Sequence, residues 1–281
     1  MMDTMPDPIS IALREDVAEG DTTTEFFVPE SLAALGRIVA RERAIVAGTE
    51  TAAEVFRRVD AQLSVEIILR DGTAVTGGET VLEVRGAARS ILTGERVALN
   101  FLQRLSGIAT LTGQFVEAIG KSKAKILDTR KTTPGLRALE KAAVVAGGGA
   151  NHRFSLNDMV LVKDNHLRAT GAAGFAETIQ RLRQARPGIR IEVEAERLEQ
   201  VRSFLEIEGI DIILLDNMEP PEMREAVAAG KKKVKFEASG GINLKNVRRI
   251  AATGVDYISV GALTHSARAI DFSMELTHVG S

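Results

Sequence analysis

The larger, C-terminal part of this 281-residue chain predicts a parallel α/β barrel, preceded by a smaller α/β region. Three observations predict it. From residue 120 on, short Val/Ile-rich runs alternate with helical patterns. Strands joined through helices pair in parallel, with right-handed crossovers. Charged and polar residues cluster at the C-terminal ends of these runs, where barrel sites are built. Two consecutive strand ends also carry glycine-rich turns, at Ser239-Gly240-Gly241 and around Gly261.

The elements follow in order. Ile9 to Val17 is a short amphipathic stretch, and Asp21-Thr22-Thr23-Thr24 reads as a turn or cap. Gly36–Glu42 fits a strand, and Glu50–Asp60 a helix with Ala53, Val55 and Phe56 inward. Leu63–Leu69 and Val81–Val84 fit two more strands, punctuated by Gly72, Gly77 and Gly78. Arg89–Ile119 is the longest helical pattern, apolar on most sides, as in a helix buried between elements or subunits. Gly107 and Gly113 are candidate interruptions of it, and Arg104 places a charge inside its apolar run.

Six strands then follow: Ala124–Asp128, Met159–Lys163, Ile189–Glu194, Ile212–Asp216, Val234–Glu237 and Tyr257–Val260. The helices between them are Leu136–Ala146, Ala172–Ala185, Leu198–Glu206, Pro221–Ala229 and Leu244–Ala251. A closed barrel needs more than six strands, so an open doubly wound sheet stays an alternative. The tail, Arg268–Leu276, can return to pack on the first region.

Composition narrows the function classes. Lys and Arg total 36 against 38 Asp and Glu, a net charge of −2 that gives no reason to expect nucleic-acid binding. Tyr257 is the only tyrosine and tryptophan is absent, too few aromatics for a base-stacking platform. The absence of cysteine excludes disulfides, thiolate metal sites and cysteine nucleophiles. The acidic start MMDTMPDPIS has no apolar core, so no signal peptide is expected. No apolar run is long enough to span a membrane, and a cytoplasmic location is expected.

The glycine-rich turns suggest a phosphate. Glycine lets backbone N–H groups approach an anion closely, and a following helix N-terminus adds a favourable field. Asn243 can cap such a helix after Ser239, Gly240 and Gly241; the stretch from Ser259 to Ser266, with Gly261 and His265, repeats the pattern. Neither turn is a P-loop or a dinucleotide fingerprint, and tight ligand-free turns are the plainer alternative.

The cations suggest carboxylates. Residues 121–168 hold ten Lys and Arg against four acids in a chain that is slightly acidic overall. Arg130 and Lys131 lie just past a strand, His152 and Arg153 follow the helix stop Gly147-Gly148-Gly149, and Lys163 ends a strand beside Asp164. Converging at a barrel mouth, such groups repel one another unless an anion fills the space between them, and a guanidinium matches a carboxylate bidentately.

Opposite them stand acids. Glu192 and Glu194 share one face of a strand, and Asp216 ends another. Acids there can accept hydrogen bonds from ribose hydroxyls or hold Mg²⁺ directly or through water. A structural Glu194–Lys163 or Glu194–Lys131 pair is the plainer reading, and the role of Glu192 stays open. Lys231-Lys232-Lys233 reads as a solvated loop.

Together the motifs Thr129–Arg137 (TRKTTPGLR), Gly147–Arg153 (GGGANHR), Val162–His166 (VKDNH), Ile191–Glu194 (IEVE), Leu214–Met218 (LLDNM), Glu237–Ile242 (EASGGI) and Ser259–His265 (SVGALTH) resemble the quinolinate phosphoribosyltransferase family, as does the helical Glu95–Gly107 stretch. The resemblance spans roughly residues 10 to 275. One difference is Ala142, where relatives often carry an aromatic residue.

The resemblance implies an N-terminal α/β sandwich over 1–112, a seven-stranded, incomplete TIM-like α/β barrel over 113–265, and a C-terminal segment, 266–281, returning to the first domain. It implies a homodimer, in some members a hexamer, whose N-terminal domain caps the partner's barrel. Arg104 would reach the neighbouring site and contact quinolinate, while Arg130, Lys131, His152, Arg153 and Lys163 line the dicarboxylate pocket. Lys131, Glu194 and Asp216 form the implied catalytic set. Ser239, Gly240, Gly241, Gly261 and His265 correspond to the phosphate wall. The implied chemistry moves phosphoribosyl from phosphoribosyl pyrophosphate to the quinolinate nitrogen with Mg²⁺, then loses CO₂ to give nicotinate mononucleotide. The metal ligands are not assigned.

Rival readings are a related protein with another acceptor, nicotinate-using or linked to molybdenum transport, a Schiff-base aldolase on Lys163, and a non-catalytic binding module. The full set Arg104, Arg130, His152, Arg153 and Lys163 argues against the first, and the anion-binding arginines are excessive for the second.

Overall fold

A computed structural model describes residues 7–163, 166, 174–230 and 233–278. Asp164 and Asn165 of the VKDNH motif, Lys231, Lys232 and the start of the helix read from Ala172 lie outside the described residues. The chain divides into two compact units: Met1–Gly113 with Thr132–Gly148 and Ser266–Ser281, and Gln114–Lys131 with Gly149–His265.

The first unit opens with α1 (Pro8–Val17), whose N-cap Asp7 accepts hydrogen bonds from the N–H groups of Ile9 and Ser10. Asp21 caps α2 (Thr22–Phe27) in the same way, through the Thr24 N–H. Next come β1 (Ala33–Ala40), β2 (Ala44–Ile45), α3 (Thr49–Val59), β3 (Ser64–Ile67), β4 (Ala74–Val75) and β5 (Thr80–Ala87). An antiparallel sheet runs in the order β12-β1-β5-β3, where β12 is the C-terminal strand Phe272–His278. Its register sets Ile38 opposite both Met274 and Leu82. The apolar face of α3, with Ala52, Ala53, Val55 and Phe56, is buried in the core of this unit with Ile38 and Leu82. Burying Val55, Phe56, Ile38 and Leu82 contributes about 1.5–3 kcal/mol each, and the alanines less.

The long helix α4 (Ala88–Ile119) is unbroken, so Gly107 and Gly113 do not interrupt it. They serve close packing instead. A Cβ on Gly107 would stand 2.0 Å from the Arg268 carbonyl oxygen, and one on Gly113 2.4 Å from Ile45 Cδ1. The Arg268 obstacle is backbone and cannot rotate away. Gly107→Ala is therefore expected to destabilise the protein by about 1–3 kcal/mol, read as a lower unfolding midpoint in urea.

The barrel rhythm of the sequence predicts helix α5 (Arg137–Ala146) as a barrel helix, yet it groups with the first unit. The reason is what it touches. Leu136 and Leu139 pack on the first core, and a Cβ on Gly147 would meet the Ala109 carbonyl oxygen at 2.3 Å. A helical period does not say which neighbour the helix packs on.

The second unit holds six parallel strands: β6 (Lys125–Leu127), β7 (Val160–Val162), β8 (Ile191–Ala195), β9 (Ile212–Asp216), β10 (Lys235–Ser239) and β11 (Tyr257–Ser259). Helices α6 (Phe175–Ala185), α7 (Leu198–Leu205), α8 (Pro220–Gly230), α9 (Val247–Ala251) and α10 (Ala262–His265) follow them. The order is β6-β11-β10-β9-β8-β7. The first strand thus pairs with the last, Ile258 beside Ile126, which is the signature of a barrel and decides against the doubly wound alternative.

The expected seventh strand is reduced to one bridge among the described residues. Ala150 pairs in parallel with Leu127, its N–H donating to the Ile126 carbonyl at 2.9 Å. Two residues before Ala150, Gly148 has a φ of +85°, turning the chain between the end of α5 and the bridge. Among the described residues the barrel is therefore a parallel sheet of six strands, with the single residue Ala150 paired beside β6.

Candidate active site

A cavity of about 630 Å³ opens at the C-terminal ends of the barrel strands. Arg130 and Lys131 reach it from beyond β6, Lys163 from beyond β7, Glu194 from β8, Asp216 from β9 and Ser239 from β10. His152 and Arg153 enter from the loop after the Ala150 bridge, and Gly240 and Gly241 line the cavity beyond β10.

Buried Asp128 fixes the His152 loop by accepting the His152 N–H at 2.9 Å. Arg153 is only 7% exposed and donates to the Met159 carbonyl at 3.1 Å. Burial, and then the neighbouring positive charge of Arg130, holds Arg153 below the usual arginine range. A buried cation so disfavoured is stabilised by an anion placed beside it. Lys163 Nζ stands 3.8 Å from Glu194 Oε2, with Lys163 half exposed and Glu194 nearly buried. The plainer pairing of these two is therefore present, and both also line the cavity.

The glycine-rich wall is equally specific. Gly240 has a φ of +91°, and a Cβ there would fall 2.1 Å from Asn217 Oδ1. Asn217 itself has a φ of +55°, a conformation asparagine tolerates better than most residues. Its N–H donates to the Ser239 carbonyl at 2.9 Å and its side-chain amide to Asp216 Oδ2 at 2.8 Å. The ends of β9 and β10 are thereby stitched together, with the Asp216 carboxylate held toward the cavity.

Gly261 and His265 do not line the cavity. They sit behind Lys131, which does: a Cβ on Gly261 would lie 3.1 Å from His265 Nε2 and 3.2 Å from Lys131 Cδ. The Thr264 hydroxyl ties this turn to the Lys131 carbonyl at 2.7 Å. Arg104 belongs to the first unit, where it pairs with fully buried Glu140 at 2.9 Å and donates to the Ala267 carbonyl at 3.2 Å. It lines a separate cavity of about 170 Å³ with Glu15, Asp16 and Asn100.

Sequence reasoning missed Asn217, Ser259 and above all Glu237, all of which line the main cavity. The alternation that put Glu192 and Glu194 on one face also puts Lys235, Glu237 and Ser239 on one face of β10. That signal was available. Glu192 lies beneath the site and does not line it.

Glu192 and Glu237 are 0% and 1% exposed, and His152 Nε2 lies 3.1 Å from Glu192 Oε2 and 3.5 Å from Glu237 Oε1. Oε1 of each carboxyl lacks a hydrogen-bond partner, so a proton held by the pair would relieve both. Burial pushes Glu192 up to about 7. Burial, and then the Glu192 charge, pushes Glu237 up to about 8.

The unfolded chain releases both protons in the ordinary carboxyl range, whereas the folded chain keeps them to higher pH. The pair's contribution is therefore present in acid and is lost as pH rises toward 8. Stability should fall by up to about 1.4 kcal/mol per pH unit for each proton retained. Thermal unfolding between pH 5.5 and 8 checks this: Glu237→Gln should flatten the decline.

With this geometry in place, comparisons with known proteins agree. The family model for the quinolinate phosphoribosyl transferase N-terminal domain matches residues 21–106, and that for the C-terminal domain matches 108–275. A probable nicotinate-nucleotide pyrophosphorylase [carboxylating] of Bacillus subtilis is 43% identical over 94% of this chain and 90% of that protein. A nicotinate-nucleotide pyrophosphorylase [carboxylating] of Mycobacterium leprae is 42% identical over 98% of each chain. The crystal structure of NadC from Streptococcus pyogenes superposes with a TM-score of 0.92 at 41% identity, covering 97% of this chain and 96% of that one. Two family models that together span nearly the whole sequence, on a barrel whose mouth gathers cations against acids, place this chain in the quinolinate phosphoribosyltransferase family.

Proposed function

We propose that the chain transfers phosphoribosyl from phosphoribosyl pyrophosphate to the ring nitrogen of quinolinate and releases CO₂, giving nicotinate mononucleotide and pyrophosphate for de novo NAD synthesis. One observation carries this reading: a single cavity gathers Arg130, Lys131, Arg153 and Lys163 on one side and Glu194 and Asp216 on the other. The cations suit a dianionic ring. The acids suit the hydroxyls of a sugar and the positive charge that develops on its C1 as pyrophosphate leaves.

Arg130, Arg153 and Lys163 hold quinolinate in this reading, the His152 ring lines the pocket beside them, and Arg104 is supplied by the partner of a homodimer. Lys131, Glu194 and Asp216 act on the phosphoribosyl group. Ser239, Gly240 and Gly241 receive its phosphate, while Gly261 and His265 position Lys131. Binding both substrates in line converts a bimolecular displacement into an intramolecular one. Once the ring nitrogen carries the ribose it is positive, and its charge stabilises the electron pair left on the adjacent ring carbon when the carboxylate departs.

Mg²⁺ fits the site through Asp216, a carboxylate at the cavity edge beside the glycine wall, since this ion favours one or two carboxylates together with substrate phosphate oxygens. When bound, it neutralises the charge of the leaving pyrophosphate. Among the described residues no helix is long and apolar enough to cross a membrane, in keeping with a cytoplasmic enzyme.

Product analysis tests the proposal. Purified protein with Mg²⁺, phosphoribosyl pyrophosphate and quinolinate should form pyrophosphate, CO₂ and nicotinate mononucleotide in equal amounts. Pyrophosphate without CO₂, or neither product from a folded sample, would refute it.

A further inference from the structure

Loss of CO₂ from a ring carbon leaves an electron pair there, and that carbon must take up a proton. The cavity's guanidinium groups do not give up protons. Of its two lysines, Lys163 stands 3.8 Å from the Glu194 carboxylate, while Lys131 acts on the phosphoribosyl group in the reaction above. His152 is engaged on both nitrogens. Its Nδ1 accepts the Arg153 N–H at 2.7 Å, so a neutral ring carries its hydrogen on Nε2, facing Glu192 at 3.1 Å. The same tautomer argues against a metal held by His152, Glu192 and Glu237, because a protonated nitrogen cannot ligate.

We infer that Glu237 is the acid of the decarboxylation step, giving its proton to the ring carbon from the cavity floor and regaining one through a second cavity on the opposite side of the barrel. The inference rests on the reaction proposed above. The second cavity, about 170 Å³, is lined by Lys125, Arg190, Ile212 and Tyr257, all at or just before the starts of their strands. It therefore opens at the N-terminal end of the barrel, away from the substrate mouth. Glu237, at the middle of β10, lines both cavities, as do His152 and Arg153. Of these three, Glu237 alone is a carboxyl group.

The surroundings suit a group that must hold a proton, release it and recover it. β8 presents Glu192, and the loop after Ala150 presents His152 and Arg153. β11 presents Tyr257 and Ser259, β6 presents Lys125, and β9 contributes uncharged Ile212 and Leu214. Burial and the Glu192 charge keep Glu237 protonated at neutral pH. In the step, the bond from the ring carbon to its carboxylate breaks and the electron pair stays on carbon. CO₂ departs, and a C–H bond forms with the Glu237 proton. The resulting Glu237 carboxylate faces Glu192 in a buried site, so uptake of a proton from water in the second cavity is favourable. The net consumption is one solvent proton per turnover.

Rapid mixing of the full chain with Mg²⁺, phosphoribosyl pyrophosphate and quinolinate, reading pyrophosphate and CO₂ separately, tests the inference. Glu237→Gln keeps the shape and removes the acid. Pyrophosphate release should persist while CO₂ release slows about 100-fold and a dicarboxylated nucleotide accumulates. The wild-type loss of CO₂ release above about pH 8 should vanish in this variant. Glu192→Gln removes a like charge from Glu237 and should move that loss to lower pH, a readout that stands even if Glu237→Gln does not fold. Equal slowing of both products in Glu237→Gln, or an unmoved alkaline limb in Glu192→Gln, would overturn the inference. Wild-type protein that releases no pyrophosphate would instead refute the underlying reaction.

Discussion

Replacing Arg153 with methionine should abolish most use of quinolinate while leaving the protein folded. Arg153 is buried and lines the main cavity, where the charges of Glu192 and Asp158 attract it and that of Arg130 repels it. Removing one partner of a buried charge pair costs about 2–5 kcal/mol, which is roughly a 30- to 5,000-fold loss in kcat/KM. The free protein gains from losing a desolvated cation that Arg130 repels, and methionine fills comparable space; against this stand the hydrogen bond to the Met159 carbonyl and the attraction of Glu192 and Asp158. Stability should therefore change by no more than about 1–2 kcal/mol. Arg153→Lys should recover part of the charge but not the planar fork, and should stay well below wild type. Steady-state kinetics beside urea unfolding separates the two effects. A large stability loss with near-normal kcat/KM would assign Arg153 a structural role.

The second large effect concerns Arg104. In one chain it is held by Glu140, whose other hydrogen bonds come from the Thr133 N–H and hydroxyl, and it is about 30% exposed. Truncation to alanine would strip a fully buried carboxylate of its cation, so lysine is the cleaner substitution. If each site of a homodimer uses Arg104 from one subunit and Lys163 from the other, Arg104→Lys and Lys163→Ala should each be nearly inactive alone. An equal mixture after subunit exchange should recover roughly a quarter of wild-type activity, because half the dimers are mixed and each restores one site of two. No recovery after exchange confirmed by mass spectrometry would mean that sites are not shared in this way.

Much of this arrangement is legible in the sequence because barrel strands are buried on both faces and read as short Val/Ile runs. Ile212–Asp216 is bounded the same way in both, and the other five barrel strands shift by a residue or two. The strand Gly36–Glu42 moves to Ala33–Ala40, since Ala33, Ala34 and Leu35 give no alternation to mark the start. The helix read as Leu244–Ala251 shortens to Val247–Ala251, because Asn243 caps locally through its own loop rather than starting the helix. A one-residue bridge at Ala150 leaves no periodic trace at all. The assignment of α5 to the first unit depends on contacts between residues about 36 apart, such as Arg104 and Glu140, which no local pattern encodes.

The site divides along the same line. Charges at strand ends stand out, so the cavity contains most of the expected residues. Glycine positions stand out as well, and Gly240 carries the positive φ its turn requires. Glu237 was hidden because an acid flanked by Phe236 and Ala238 looks like the solvent side of an alternating strand. In a barrel that side is the interior, and there the acid is 1% exposed. Glu192 carried the same ambiguity, and its place beneath His152 follows from the tertiary packing of two strands and a loop.

The cations gathered at the barrel mouth should select a ring that carries two carboxylates. The most direct measurement is kcat/KM for quinolinate against nicotinate, with phosphoribosyl pyrophosphate and Mg²⁺ saturating. Loss of one carboxylate leaves buried cations unpaired, so quinolinate should be preferred by at least about 100-fold. Comparable values for the two acids would contradict the dicarboxylate pocket, whatever the fold.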